Sequence, residues 1–139
     1  MSDLKNNKYT LEVKYIIYAE PEKVFDAVTQ EAKLGEWCEG GGKVEPFEGG
    51  EVELFDGWVK GEVLHFNKLK RELSYTWKPS EWGMKKDPSI VEFSFDKNPA
   101  GTLVKVKHFN FPDQAESDKH RTGWVDYFFE PLNDHIIED

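Results

Sequence analysis

Apolar residues alternate with polar ones through most of this chain, and the alternation gives way to a helical period in only two places. Tyr9, Leu11, Val13, Tyr15 and Ile17 fall on one face of an extended segment and Thr10, Glu12 and Lys14 on the other, the pattern of a half-buried strand. At Glu20-Pro21-Glu22 the period changes: Pro21 suits a first helical position and Glu22 the positive end of the helix dipole. Val24, Phe25, Val28, Leu34 and Trp37 follow at helical spacing with a break near Gln30, so one or two short helices are expected to end near Trp37, ahead of Gly40-Gly41-Gly42.

Strands resume at Lys43. Val44–Phe47 contains Pro46 and is expected at a sheet edge. Gly49-Gly50 turns the chain into Glu51–Phe55, and Asp56-Gly57 is a two-residue hairpin signal leading into Trp58–Phe66. After a turn at 68–70, Glu72–Lys78 sets Leu73, Tyr75 and Trp77 on one face; Pro79–Pro88 reads as a loop exposing Trp82 and carrying Met84. Ile90–Asp96 aligns Val91, Phe93 and Phe95, and Asn98–Gly101 turns into Thr102–Phe111, where Val104, Val106 and His108 share a face. Asp113 and Asp118 are both candidate caps for the last helix.

That second helical stretch runs from Arg121 to Ile136. Wound at about 100° per residue, it lines up Trp124, Phe128, Leu132 and Ile136, with Val125 and Phe129 beside them, in an arc of about 140°. Asp126, Glu130 and Asp134 oppose that arc. So aromatic a helix needs an apolar wrapper, and only strands are available to supply one. Pro131 removes the hydrogen bond to the Tyr127 carbonyl, so a bend or break is expected there. The fold class is therefore α+β: an antiparallel sheet of six or seven strands curled around one long C-terminal helix, with two short helices after the first strand.

Composition refines this picture. At 139 residues one domain, 1–139, is expected, and a hydrophobic share of only 38% is offset by 14% aromatics, which bury more area per residue. A net charge of −9 excludes nucleic acid, whose recognition needs clustered Lys and Arg. No apolar run is long enough to insert into a membrane, and the first eight residues carry no signal-peptide core. The single Cys38 excludes an internal disulfide and fits a reducing compartment, so the expected location is cytoplasmic.

Several segments together resemble a known family. Ala19-Glu-Pro-Glu-Lys-Val-Phe-Asp-Ala-Val-Thr29 with Trp37, the Gly49-Gly50 turn, Gly61-Glu62-Val63 through Leu73-Ser-Tyr-Thr-Trp77, Gly101-Thr102 leading to His108, and Thr122-Gly123-Trp124 occur in the order seen in the START-like, birch-pollen-allergen-like superfamily (SRPBCC). Within it the chain is most similar to the branch named for the activator of the heat-shock-protein-90 ATPase. The branch usually has an Arg before its Gly-Gly turn; here Phe47-Glu48 stands in that place, so no role for that Arg carries over. The resemblance implies a helix-grip fold with a cavity between sheet and helix, where superfamily members hold lipids, sterols, polyketides or plant phenolics. It also implies a chaperone as an alternative partner, although the chain matches only the C-terminal of that activator's two domains.

Trp37, Phe55, Tyr75, Trp77, Phe93, Phe95, Trp124 and Phe128 are the candidate lining of such a cavity, against the plain alternative of a filled aromatic core. His108 is either a satisfied core residue or a hydrogen-bond donor to a ligand. Arg121, one turn before Trp124, either meets an anionic head group at the cavity mouth or pairs with a nearby acid. The four His and one Cys show no metal-ligand spacing, and Gly40-Gly41-Gly42 lacks the Lys-Ser/Thr of a phosphate loop, so neither metal nor cofactor is expected. No catalytic constellation is legible: Cys38 sits between Glu36 and Glu39, which oppose a thiolate. The expected activity is non-enzymatic binding of a small hydrophobic or aromatic molecule, with a chaperone-associated module and a polyketide cyclase-like enzyme using His108 and Arg121 as alternatives.

Overall fold

The computed structural model describes residues 9–84 and 86–138. The expectations for residues 1–8 and for Lys85 lie outside the described residues. In chain order the elements are β1 (Leu11–Ile17), α1 (Pro21–Thr29), α2 (Glu31–Trp37), β2 (Gly42–Val44), β3 (Glu51–Leu54), β4 (Val59–Asn67), β5 (Glu72–Pro79), a 3-10 turn (Ser80–Trp82), β6 (Ser89–Asn98) and β7 (Gly101–Phe109). A helix of 24 residues, α3, closes the chain. The sheet has seven antiparallel strands in the order β1-β7-β6-β5-β4-β3-β2: a meander from β2 to β7, with β1 added beside β7.

Alternation decides which face of each strand is buried. Leu73, Tyr75 and Trp77 on β5, Val91, Phe93 and Phe95 on β6, and Val104, Val106 and His108 on β7 all point into one interior. Pro21 opens α1 with its fixed φ, and extended backbone at Gln30 separates α1 from α2. The Trp37 indole then donates to the Ala27 carbonyl at 2.8 Å, tying the end of α2 back onto α1. Gly61 on β4 is required by close approach, because a Cβ there would collide with the carbonyl oxygen of Thr76 on β5.

Three local expectations are corrected. The edge strand runs Gly42–Val44 rather than from Val44 to Phe47, because Pro46 lacks the N–H needed to extend the ladder. The Asp56-Gly57 hairpin uses a four-residue loop, 55–58, since Leu54 pairs with Val59; Phe55, Asp56 and Gly57 are all left-handed, with φ of 57°, 58° and 83°. Phe55 is thus a loop residue, not the end of a strand. Finally, Trp82 is not exposed: the 3-10 turn folds it inward to 5% exposure, where its indole donates to Glu116 Oε1 at 3.1 Å.

Helix α3 starts earlier than its apolar stripe, at Gln114, and comprises α-helical Gln114–Gly123, a π-helical segment Trp124–Phe129, and α-helical Glu130–Ile137. Asp113 is the cap, its side chain accepting the Glu116 N–H at 2.9 Å. The break expected at Pro131 does not occur: the helix continues through it to Ile137, and the departure from α geometry lies earlier, in the π segment, where the Glu130 N–H reaches back to the Val125 carbonyl. An extra residue enters the turn ahead of the proline, and the chain stays helical throughout. The wider turn also lets two consecutive rings, Phe128 and Phe129, be buried together, at 2% and 0% exposure. Phe129 stacks on Tyr15 of β1 with centroids 5.3 Å apart, while Phe128 meets Trp37 of α2 edge-on at 4.9 Å.

The cap gives a direct test of where the helix begins. Asp113→Ala is expected to cost about 1 kcal/mol in urea unfolding by removing the N-cap acceptor. Asp118→Ala, which removes only an exposed contact with Gln114, is expected to stay within about 0.5 kcal/mol of the parent.

Candidate functional site

The centre of the molecule is a hydrogen-bonded set of indoles and imidazoles joining α3 to the sheet. Trp124 Nε1 on α3 donates to His108 Nδ1 on β7 at 3.0 Å. An indole nitrogen can only donate, so His108 Nδ1 must be the acceptor and its proton must sit on Nε2. That proton is given to Ser89 Oγ at 2.7 Å, and the Ser89 hydroxyl donates in turn to the Trp77 carbonyl, also at 2.7 Å. A parallel relay fixes His120: Trp77 Nε1 donates to His120 Nε2 at 3.1 Å, and His120 Nδ1 donates to the Glu116 carbonyl at 2.9 Å. Both imidazoles are therefore neutral, with opposite tautomers. Each of the five indole N–H groups has a protein acceptor; Trp58 uses Glu81 Oε1 at 2.6 Å.

Beside this set lies a cleft of about 430 Å³ between α3 and the β3–β4 loop. Its walls are Phe55 and Trp58 from the loop, Trp77 from β5, and Gly123, Trp124 and Phe128 from α3. His120, Lys119, Tyr127 and Glu39 complete the lining. The rings pack against one another: Trp77 and Trp124 lie 5.0 Å apart, Trp124 and Phe128 4.8 Å, and Phe55 and Trp77 6.4 Å. Trp58 stacks on the His120 ring at 6.2 Å.

Of the residues singled out from sequence, Phe55, Trp77, Trp124 and Phe128 come together at this cleft. Trp37, Tyr75, Phe93 and Phe95 are buried in the packed core, where Phe93 stacks on Phe95 at 5.7 Å and meets Tyr75 edge-on. His108 has both ring nitrogens engaged and no exposure, so it positions Trp124 and, through Ser89, the β5 backbone at Trp77. Arg121 stands elsewhere than the mouth: it is exposed and its Nη1 donates to the Glu12 carbonyl on β1 at 3.3 Å. One turn before Trp124, its long side chain reaches the β1 backbone instead of the cleft.

Trp58, His120 and Tyr127 belong to the lining although they are not among the residues expected from sequence. Strand alternation from Val59 sends Trp58 outward; three left-handed residues in the loop bring it back. His120 was legible, since 120, 124, 128, 132 and 136 form one row at a spacing of four. Cys38 is buried and its thiol is pushed up by desolvation, which disfavours the thiolate a nucleophile needs. Among the described residues no group of His, Cys, Asp and Glu is placed to hold a metal ion, and no helix is long and apolar enough to cross a membrane.

The family model described as Activator of Hsp90 ATPase homolog 1-like protein matches residues 18–136. Among solved structures, the protein MLL2253 from Mesorhizobium loti is 28% identical, with 93% of this chain and 97% of that one covered and a TM-score of 0.77. PFC0360w, an HSP90 activator from Plasmodium falciparum, is 23% identical over 91% of this chain and 95% of its own, with a TM-score of 0.79. CalU16 from Micromonospora echinospora is 22% identical over 91% of this chain and 72% of its own, with a TM-score of 0.72. The last two likenesses concern the fold alone. No curated protein matches the chain.

The two neutral imidazoles couple stability to pH. Burial, reinforced by His120, holds the His108 pKa well below the usual histidine value; burial also lowers that of His120, against the opposing pull of Glu116. In the unfolded chain both would take up protons near the ordinary value of about 6.5. Because the folded values are the lower ones, their contribution is present above about pH 6.5 and is lost as pH falls below it. Urea unfolding from pH 7.5 to 5 is expected to show that loss. His108→Gln, which keeps an acceptor and a donor but does not titrate, is expected to remove up to about 1.4 kcal/mol per pH unit of the slope.

Proposed function

Because the chain belongs to the Activator of Hsp90 ATPase homolog 1-like family, whose helix-grip fold sets a helix against a curved sheet, we propose that it binds a small hydrophobic or aromatic molecule, without catalysis, in the cleft beside α3. Gly123 is the observation that carries this reading. Its φ of −62° is ordinary helical backbone, and a Cβ there would meet nothing nearer than Tyr127 Cδ2 at 4.0 Å. Neither conformation nor crowding calls for glycine, yet glycine in a helix interior costs about 1 kcal/mol relative to alanine. An unfilled position on the cleft wall accounts for it. The volume of about 430 Å³ falls within the roughly 300–1,000 Å³ of small-molecule sites. The candidate contacts are Phe55, Trp58, Trp77, Trp124 and Phe128, with Trp37, Tyr75, Phe93, Phe95 and His108 as the layer behind them.

A non-enzymatic role suits the chemistry of the walls. The imidazoles are occupied by indoles, and neither His108 nor Arg121, the pair an enzyme of the cyclase kind would use, lines the cleft. The likeness to CalU16 therefore contributes fold and not mechanism. A cytoplasmic location is part of the proposal, supported by the single buried Cys38. A second reading, a chaperone-associated module, is favoured by the family and by the likeness to an HSP90 activator. An unchanged Hsp90 ATPase rate on addition of the protein would remove it.

The binding reading is tested by following the indole Nε1–H signals of Trp58, Trp77 and Trp124 while flat apolar compounds, a sterol and a fatty acid are added. The expected result is a saturable shift with at least one class. Gly123→Leu, which fills the cleft and improves helix propensity, is expected to weaken that binding at least tenfold without loss of thermal stability. Unchanged binding in that variant would locate the ligand elsewhere.

A further inference from the structure

The cleft is walled by six aromatic rings, those of Phe55, Trp58, Trp77, Trp124, Tyr127 and Phe128, and its charges are unequal. Glu39 is the one acid among the lining residues, whereas the one cation that lines it among the described residues, Lys119, has its Nζ 3.3 Å from Glu116 Oε2. A third acid, Glu81, lies 2.6 Å from the Trp58 indole nitrogen. Among the described residues the lining thus holds one acid and one paired cation, with Glu81 behind the Trp58 ring, on a chain whose net charge is −9.

The orientation of the indoles adds to this. The N–H is the most positive edge of an indole, and in Trp58, Trp77 and Trp124 it is committed to Glu81, His120 and His108. These groups leave ring faces and carbon edges at the cleft and no indole donor for an anion or a carbonyl. His120 is neutral with both nitrogens bonded, so it offers neither charge nor donor. Ring faces carry the negative part of the aromatic quadrupole and attract weakly hydrated cations, most of all quaternary ammonium groups boxed by several rings. Among the described residues, these walls offer an anion neither an unpaired cation nor an uncommitted indole or imidazole donor.

We infer that the ligand of this cleft is an organic cation, an aromatic or alkyl compound bearing a quaternary or tertiary ammonium group seated among the rings on the Glu39 side. The inference rests on the cleft being the ligand site and adds the charge of what it holds.

The test uses three probes on the whole protein: phenyltrimethylammonium, its neutral isostere tert-butylbenzene, and benzenesulfonate, titrated at 0.1 M and 0.5 M NaCl with indole Nε1–H shifts as the readout. The cation is expected to bind at least tenfold tighter than the isostere, and the sulfonate not to shift the three cleft indoles. Glu39→Gln is expected to reduce that ratio about threefold. Glu92→Gln, the same charge change on the outer sheet surface, is expected to leave it alone. The preference should persist in 0.5 M NaCl, since ring contacts are screened less than the net charge. Equal or tighter binding of tert-butylbenzene, or a preference abolished by salt or reduced equally by Glu92→Gln, overturns the cation inference and leaves the cleft as a ligand site. Binding of none of the probes or of the apolar compounds overturns both.

Discussion

Trp124 reaches from α3 across the interior and gives its indole proton to His108 on β7, and much of the arrangement around it depends on that contact. The bond dictates the His108 tautomer, which in turn donates to Ser89 and through it holds the β5 carbonyl at Trp77. Trp77 is then placed to donate to His120, one helical turn before Trp124, so a second bond joins the same helix to the same sheet. Helix and sheet are clasped by two indole–imidazole bonds within one buried cluster. Each unmade bond would leave a desolvated polar group, at about 1–3 kcal/mol apiece, so the cluster is satisfied as a whole or not at all.

The clasp and the π segment are linked. Trp124 opens the wide turn and Phe129 ends it, so the residue that anchors the helix also begins its departure from α-helical pitch. π turns recur at functional sites because they put an extra residue on one face of a helix. Here the extra residue allows Phe128 to face α2 and Phe129 to face β1 while Trp124 stays on the sheet. Pro131 cannot donate to the preceding turn, which weakens the competing α register at the right place. Space remains beside Gly123, where the helix wall steps back between Trp124 and the loop rings of Phe55 and Trp58.

The family likeness accounts for the layout and leaves the lining open. The relatives of similar overall geometry share between 22% and 28% of their residues with this chain, and a helix-grip fold admits many fillings. The character of this cleft comes from its own rings, and the proposed binding role rests on those rather than on the architecture.

Much was legible in the sequence. Period-two alternation located six of the seven strands to within a few residues, and the row Trp124, Phe128, Leu132, Ile136 identified both the long helix and its buried face, because burial on one face imposes these periods whatever the partner. Pro131 suggested a break that the helix does not show. Tertiary structure decided the rest. Left-handed backbone at Phe55, Asp56 and Gly57 turned Trp58 back over the cleft, against its strand parity. Trp82 was drawn inward by an acceptor on α3, 34 positions away in sequence. Whether His108 was ligand or scaffold depended on which partners faced its two nitrogens, an acceptor from β6 and a donor from α3. Periodicity records only that a side chain is buried; what it meets there is set by contacts between distant segments, which no local pattern encodes.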